Sequence, residues 1–293
     1  MLTPFPCSLP IMNQPEYIRK ALKAGKHVLA EKPIANDVAT ATELLEWYHK
    51  NVDTSKVTWA VAENFRFFES YSTASEEISK LGRLLGFRLR VSAMVEAGNK
   101  WYGMYSIPWV PDAAGDQADN LNAETSWRKT PTHQGGFILD GGIHSIAGLR
   151  LMLAGANEDI VRVSAFTSQL QPHMPPIDSV DATCKTTSGV AGIAQLSFGT
   201  TFKGGGISVA CEHGVVTVVG KDVTIEKNGV EETKTFPKQT NGVKEEVLAW
   251  GKAILAGEPD SRQSPEEALK DLRALEAMFK SGEKDGEPLN TGN

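Results

Sequence analysis

Lys32 follows the short apolar run His27-Val28-Leu29-Ala30-Glu31 and precedes Pro33. The run reads as a buried strand entered from Gly25, so the lysine stands at a strand's carboxyl end, where open α/β sheets hold their ligands. A lysine partly desolvated there can serve as a general acid or base. The alternative is a solvated lysine in a strand-to-helix turn. Asp140 and His144 form a second candidate pair, four positions apart with Gly141 and Gly142 between them. A helix beginning near Gly141 would put Asp140 close to its N-cap and His144 one turn on, near the same face. Taken singly, the aspartate could be only a cap and the histidine only a buried side chain. His133 and Gln134 flank Gly135-Gly136 and could face a substrate, although loop polarity accounts for them equally well. The six histidines and three cysteines never cluster at ligand spacing, so no metal site is expected. There is no Gly-x-Ser-x-Gly elbow to suggest a serine hydrolase.

Longer strings are more specific. Gly25-Lys26-His27-Val28-Leu29-Ala30-Glu31-Lys32-Pro33, and Gly135-Gly136-Phe137-Ile138-Leu139-Asp140-Gly141-Gly142-Ile143-His144 preceded by Trp127-Arg128, resemble one known family. It is the glucose–fructose oxidoreductase / inositol dehydrogenase / rhizopine-catabolism (Gfo/Idh/MocA) family of NAD(P)-dependent sugar and polyol dehydrogenases. The resemblance runs from about Ser8 to the last helix. It implies that Lys32, Asp140 and His144 are catalytic, managing a hydroxyl proton as hydride moves. Glu31 would contact the nicotinamide ribose, with Pro33, Asn64 and Arg66 also on the cofactor side. Trp127, Arg128, His133 and Gln134 would face the substrate. For Asn64 and Arg66 a strand-end hydrogen-bond network is the competing reading. Family members often carry a further acid three or four residues after the histidine, but Ala147 and Gly148 stand there. The resemblance also implies a homo-oligomer assembled through an open sheet.

No Gly-x-Gly-x-x-Gly precedes Lys32. A dinucleotide fold holds pyrophosphate on its first strand–turn–helix, each such unit taking ~30 residues. Gly204-Gly205-Gly206 lacks a following helix and does not substitute. The expectation is therefore an N-terminally truncated member whose chain as written binds NAD(P) weakly or not at all. Met1-Leu2-Thr3-Pro4-Phe5-Pro6-Cys7-Ser8 can be encoded by a string with a CTAAC element, a pyrimidine tract and a terminal CAG. That pattern favours a gene-model artefact over a natural truncation.

The elements that must position these residues follow an α/β rhythm at first. The end of a strand is expected at Ser8–Ile11, a helix over 14–24 with Gly25 as its cap, and a strand over 27–30. A helix capped by Asp37 should run to Lys50, followed by a strand over 57–62. After a helix at 75–80 the pattern changes to alternation in 87–95. Residues 98–134 read as a long loop, rich in Trp and Tyr, of a kind that is usually functional. A helix over 142–153 follows. Strands are then expected near 160–170, 179–187, 190–202, 206–212, 214–219, 222–227 and 230–236. Helices at 243–255 and 264–280 close the fold, the second opened by Ser264-Pro265-Glu266-Glu267. The fold class is thus α/β plus α+β: the second half of a Rossmann-type parallel sheet, then a mostly antiparallel open sheet with flanking helices. Residues 1–84 form the residual nucleotide domain and 85–280 the substrate domain, whose last helix can pack back on the first. Residues 281–293 form a tail, with 285–288 expected to be mobile.

A hydrophobic content of 41%, a charged content of 23% and a net charge of −6 describe an ordinary soluble globular chain. Without a basic patch, nucleic acid is not an expected partner. No run approaches the ~20 apolar residues of a bilayer helix, so no membrane partner is expected either. Three cysteines without a pairing pattern and no secretory signal suit the cytoplasm. Two other functions remain open on the residues alone: a cofactor-independent acid/base enzyme using the same Lys/Asp/His cluster on a small molecule, and a non-catalytic binding or scaffold protein.

Overall fold

The computed structural model describes residues 4–7, 9–97 and 130–292. Trp127 and Arg128, together with most of the aromatic 98–134 loop, lie outside the described residues.

Three parallel strands, β1 (Pro4–Cys7), β2 (His27–Glu31) and β3 (Trp59–Ala62), form a small sheet in that order. Helix α1 (Gln14–Lys23) and helix α2 (Val38–Asn51) supply the crossovers. In α1 the spacing of Ile18, Ala21 and Leu22 buries one face, and Gly25 at φ 70° turns the chain into β2. The Asp37 side chain accepts from Thr40 N at 2.7 Å and caps α2 as expected. The first four residues of β2 and all of β3 are buried, as a parallel strand covered on both faces must be. Val28, Ala30, Trp59 and Val61 join the main core with Ile18, Leu22, Leu44 and Tyr48. Leu29, Ala60 and Ala62 instead meet Trp250 and Ile254 of a much later helix. The first strand ends at Cys7, earlier than expected. Pro10 then leads into a 3-10 turn at Ile11–Asn13.

Helix α3 (Glu69–Ile78) leads to a nine-stranded sheet: β4 (Leu84–Met94), β5 (Ile160–Ser168), β6 (Ser179–Thr186), β7 (Ala191–Ser197), β8 (Gly199–Cys211), β9 (Gly214–Val219), β10 (Asp222–Lys227), β11 (Val230–Thr235) and β12 (Leu289–Asn290). The spatial order is β11-β10-β9-β8-β4-β7-β6-β5-β12, antiparallel except where β4 pairs with β7. Strict alternation in β6 and β7 leaves one face of this sheet open and packs the other into the core.

Three expectations needed correction here. Helix α3 begins at Glu69, because Tyr71, Ala74 and Ile78 bury a face that its many serines and threonines disguised. The break expected at Gly204–Gly206 falls instead at the buried Phe198, where the chain crosses from one side of β4 to the other. Gly204 to Gly206 pair in register with Ser92 to Arg90, and a Cβ on Gly206 would lie 2.6 Å from Val218 O, so glycine permits the close strand approach. The tail is ordered, since β12 pairs with β5 and Gly286 O accepts from Ser164 Oγ at 2.7 Å.

Helix α4 (Ile143–Ala154) is buried on nearly all sides, with α3 and the last helix of the chain as its helical neighbours. A Cβ on Gly148 would come within 2.9 Å of the Tyr71 ring, so that ring fills the place where an acid would otherwise stand. Helix α5 (Val243–Ala256) covers the second face of the parallel sheet. Helix α6 (Pro265–Glu283), capped by Ser264 through Glu267 N, packs on β5, α2, α4 and β3, and so does return to the first sheet. Asp271 of α6 accepts from Arg66 and Arg150 in a buried ion network that ties these elements together.

Candidate active site

Register between β2 and β3 pairs Glu31 with Ala62. Lys32 and Glu63 therefore emerge side by side at the carboxyl end of the parallel sheet. Helix α4 supplies the facing wall, because the chain is helical from Gly136 and runs through a π turn at Ile138–Gly142. Asp140 lies inside that turn rather than at a helix N-cap, which corrects the expected start near Gly141. π turns disturb the regular backbone ladder and recur at functional sites. Here Lys32 Nζ donates to both Asp140 O and Asp140 Oδ1, each at 2.7 Å. The side chains are 12% and 5% exposed, so the pair is screened from bulk water.

One turn further along, His144 Nδ1 lies 2.6 Å from Glu63 Oε1, with both side chains buried. Phe65 stacks on the imidazole at a centroid distance of 4.7 Å and an interplanar angle of 20°. Phe65 N also donates to Glu63 Oε1 at 3.2 Å. Burial alone would raise the Glu63 carboxyl, but His144, and then Arg66 and Lys32, more than offset it and hold it below the usual carboxylate range. Lys32, Asp140 and His144 thus stand together as one ion pair, Lys32–Asp140, and one hydrogen-bonded contact, His144–Glu63, joined through one helix.

A fourth carboxyl closes the site. Gly242, at φ 79°, starts α5 hard against Asn64, whose backbone oxygen would lie 2.3 Å from a Cβ there. Asn64 Nδ2 donates to Asn241 O at 2.6 Å. Glu246, in the first turn of α5, is consequently buried, and its Oε2 has no hydrogen-bond partner among the described residues. Burial first, then the neighbouring Glu63 and Glu31, push its carboxyl up to about 9 against the opposing pull of Lys32. Glu246 therefore keeps its proton at neutral pH.

Other sequence candidates have different surroundings. Arg66 was expected near the cofactor, but its guanidinium binds Asp271 through two 2.7 Å contacts and is 3% exposed. That fork is committed to the core. Gln134 was expected to face substrate. It donates instead to Asn36 O at 3.1 Å and Glu276 Oε2 at 2.5 Å, joining the loop to α6. His133 is buried with Nε2 3.4 Å from Gly136 O. Pro33 is buried behind a cis Lys32–Pro33 bond, and Glu31 is half-buried at the strand end. No metal cluster occurs among the described residues, and none of their helices is long and apolar enough to cross a membrane.

Glu63 and Glu246 had no assigned role in the sequence. An acid abutting Asn64-x-Arg66 at a strand end was a usable sign for the first. For the second the sign was an acid four residues before Trp250, on the face of α5 that should be apolar.

Comparison with known proteins bears on the family and the fold. Residues 7–58 match a family model described as oxidoreductase family, NAD-binding Rossmann fold, and residues 112–217 match the GFO/IDH/MocA C-terminal domain. The chain is 40% identical over 285 residues to a protein named dehydrogenase FPY6 from Fusarium mangiferae, covering 94% of this chain and 74% of that protein. It superposes on the crystal structure of an oxidoreductase from Thermotoga maritima with a TM-score of 0.79 at 26% identity, covering 98% of this chain and 77% of that one. It shares its fold with a levoglucosan dehydrogenase solved with NADH and levoglucosan, at a TM-score of 0.74 and 17% identity, covering 98% and 80% of the two chains.

Proposed function

The chain belongs to the GFO/IDH/MocA oxidoreductase family, and from that premise we propose that it moves hydride between a nicotinamide and the hydroxyl-bearing carbon of a small polyol or sugar. One observation carries the reading: Lys32 at the end of β2 meets Asp140, 108 residues later, at 2.7 Å inside a screened site. The residues present fit a nicotinamide group, because two buried carboxyl oxygens, Glu63 Oε2 and Glu246 Oε2, lack partners among the described residues where the strands end. Glu31 would meet the ribose hydroxyls and Asn64 would lie beside the ring. A bound nicotinamide supplies the hydride acceptor. Lys32 holds a positive charge beside the reacting oxygen, Asp140 orients that ammonium, and His144 takes the hydroxyl proton.

Nicotinamide reduction by the full chain, with NAD and NADP each offered against a panel of sugars and polyols, tests this. Lys32→Met should lower kcat by ~100-fold or more while leaving the fold intact. Turnover that proceeds equally without nicotinamide would replace the reading with cofactor-independent acid/base chemistry. Exposed Ile193, Phe202 and Val219 on strands of the antiparallel sheet support self-association there, which sedimentation would measure. Burial pushes the free Cys184 thiol up to about 12 and also raises that of Cys211, which suits the inert thiols of a cytoplasmic protein.

A further inference from the structure

His144 can take a substrate proton only with a nitrogen that bears a lone pair. Which nitrogen does so is decided by the hydrogen bond at the other. At Nδ1 the partner is Glu63 Oε1, 2.6 Å away, and the Glu63 and His144 side chains are 2% and 4% exposed. An ionised carboxyl only accepts hydrogen bonds, so that contact requires the proton on Nδ1. Burial opposes a charge on Glu63, but His144 first, and then Arg66 and Lys32, hold its carboxyl below the usual carboxylate range. Of the other buried carboxyls at the site, Asp140 is paired with Lys32 and Glu246 holds its own proton. Phe65 fixes both partners at once, stacking on the imidazole and donating its backbone N–H to Glu63 Oε1.

We propose that Glu63 is the positioning residue of this site: by accepting Nδ1–H of His144 it places the lone pair on Nε2, the nitrogen that receives the substrate's hydroxyl proton. This rests on the oxidoreductase reading. In the oxidation direction a bound oxidised nicotinamide would take the C–H hydrogen with its electron pair. The O–H pair becomes the second bond of the carbonyl, and the proton ends on Nε2. The imidazolium so formed lies against the Glu63 carboxylate, which stabilises it without taking the proton. A contact serving only the fold would carry the same Nδ1 proton, but its loss would not lower kcat selectively.

Long-range nitrogen–proton NMR on the wild-type chain, with His144 assigned by its loss in His144→Gln, reads the tautomer directly. At a pH where the ring is neutral, the expected result is a proton on Nδ1 and a lone pair on Nε2. A proton on Nε2 would overturn the proposal, and this measurement needs no Glu63 variant to fold. In kinetics, Glu63→Gln should lower kcat by ~100-fold or more with KM changed less than about 3-fold, and Glu63→Asp should recover part of the loss. A Glu63→Gln kcat within about 3-fold of wild type also overturns it. If no nicotinamide-dependent turnover exists at all, the oxidoreductase reading fails alone, and a wild-type proton on Nε2 would still overturn the Glu63 assignment.

Discussion

Replacing Glu246 by glutamine should stabilise the protein at neutral and alkaline pH but not in acid. The carboxyl is 4% exposed, and its ordinary value of 4.5 is raised to about 9 by burial, Glu63 and Glu31. A folded-state pKa above the unfolded one means the folded chain keeps a proton that the unfolded chain releases. The resulting stability is fully present below 4.5 and is lost as pH rises towards about 9. Each pH unit inside that window costs about 1.4 kcal/mol, so the penalty at pH 7 is on the order of 3 kcal/mol. Glutamine keeps the shape and cannot ionise, so it removes this penalty. Its amide still leaves one buried polar atom to satisfy, at roughly 1 kcal/mol. The pH dependence is therefore the sharper quantity: between about pH 5 and about pH 8 the difference between Glu246→Gln and wild type should grow by roughly 4 kcal/mol in favour of the variant. Urea unfolding of both proteins at the two pH values, with coincident fluorescence and circular dichroism transitions, measures it. A difference that stays constant to within about 0.5 kcal/mol would mean Glu246 is already ionised in the folded protein, and the charge assignment around Glu63 would fall.

Asp271→Ala should cost about 3–5 kcal/mol in urea unfolding, because it strands the buried Arg66 and Arg150 guanidinia without their shared partner; a loss below about 1 kcal/mol would show that the network is replaceable by water. Gly242→Ala combines a positive φ with a Cβ 2.3 Å from Asn64 O, so α5 must retreat from the strand ends. Hydrogen exchange should accelerate across 243–256 at a stability cost of about 1–3 kcal/mol, whereas unchanged exchange there would contradict the clamp.

Much of the fold was legible because it is written locally. Burial spacing in α1 and the Asp37 and Ser264 caps each act over a few residues, and each element formed where those signals lay. Local signals misled where packing decided. The serine-rich start of α3 looked polar, yet Tyr71 and Ala74 fit against α4. The three glycines of β8 looked like a break, yet they let strands approach.

The site divides in the same way. Lys32, Asp140 and His144 sit inside contiguous strings whose types and spacing suggest proton chemistry. What those strings omit is the identity of each residue's partner, because partners arrive from far along the chain. Arg66 has the right type for an anionic ligand, but Asp271, 205 residues later, takes its fork with two short contacts. Gln134 is captured by Glu276 in the same manner. Conversely, Glu63 gains its importance from a histidine 81 residues away, and Glu246 from a helix that follows β11 in the chain and packs back on the small parallel sheet. A side chain's chemistry is set by its type, but whether it meets a ligand, a core arginine or a neighbouring carboxyl is set by packing. That is why Glu63 and Glu246, neither of which stands in a conspicuous motif, decide the charge and tautomer at the centre of the site.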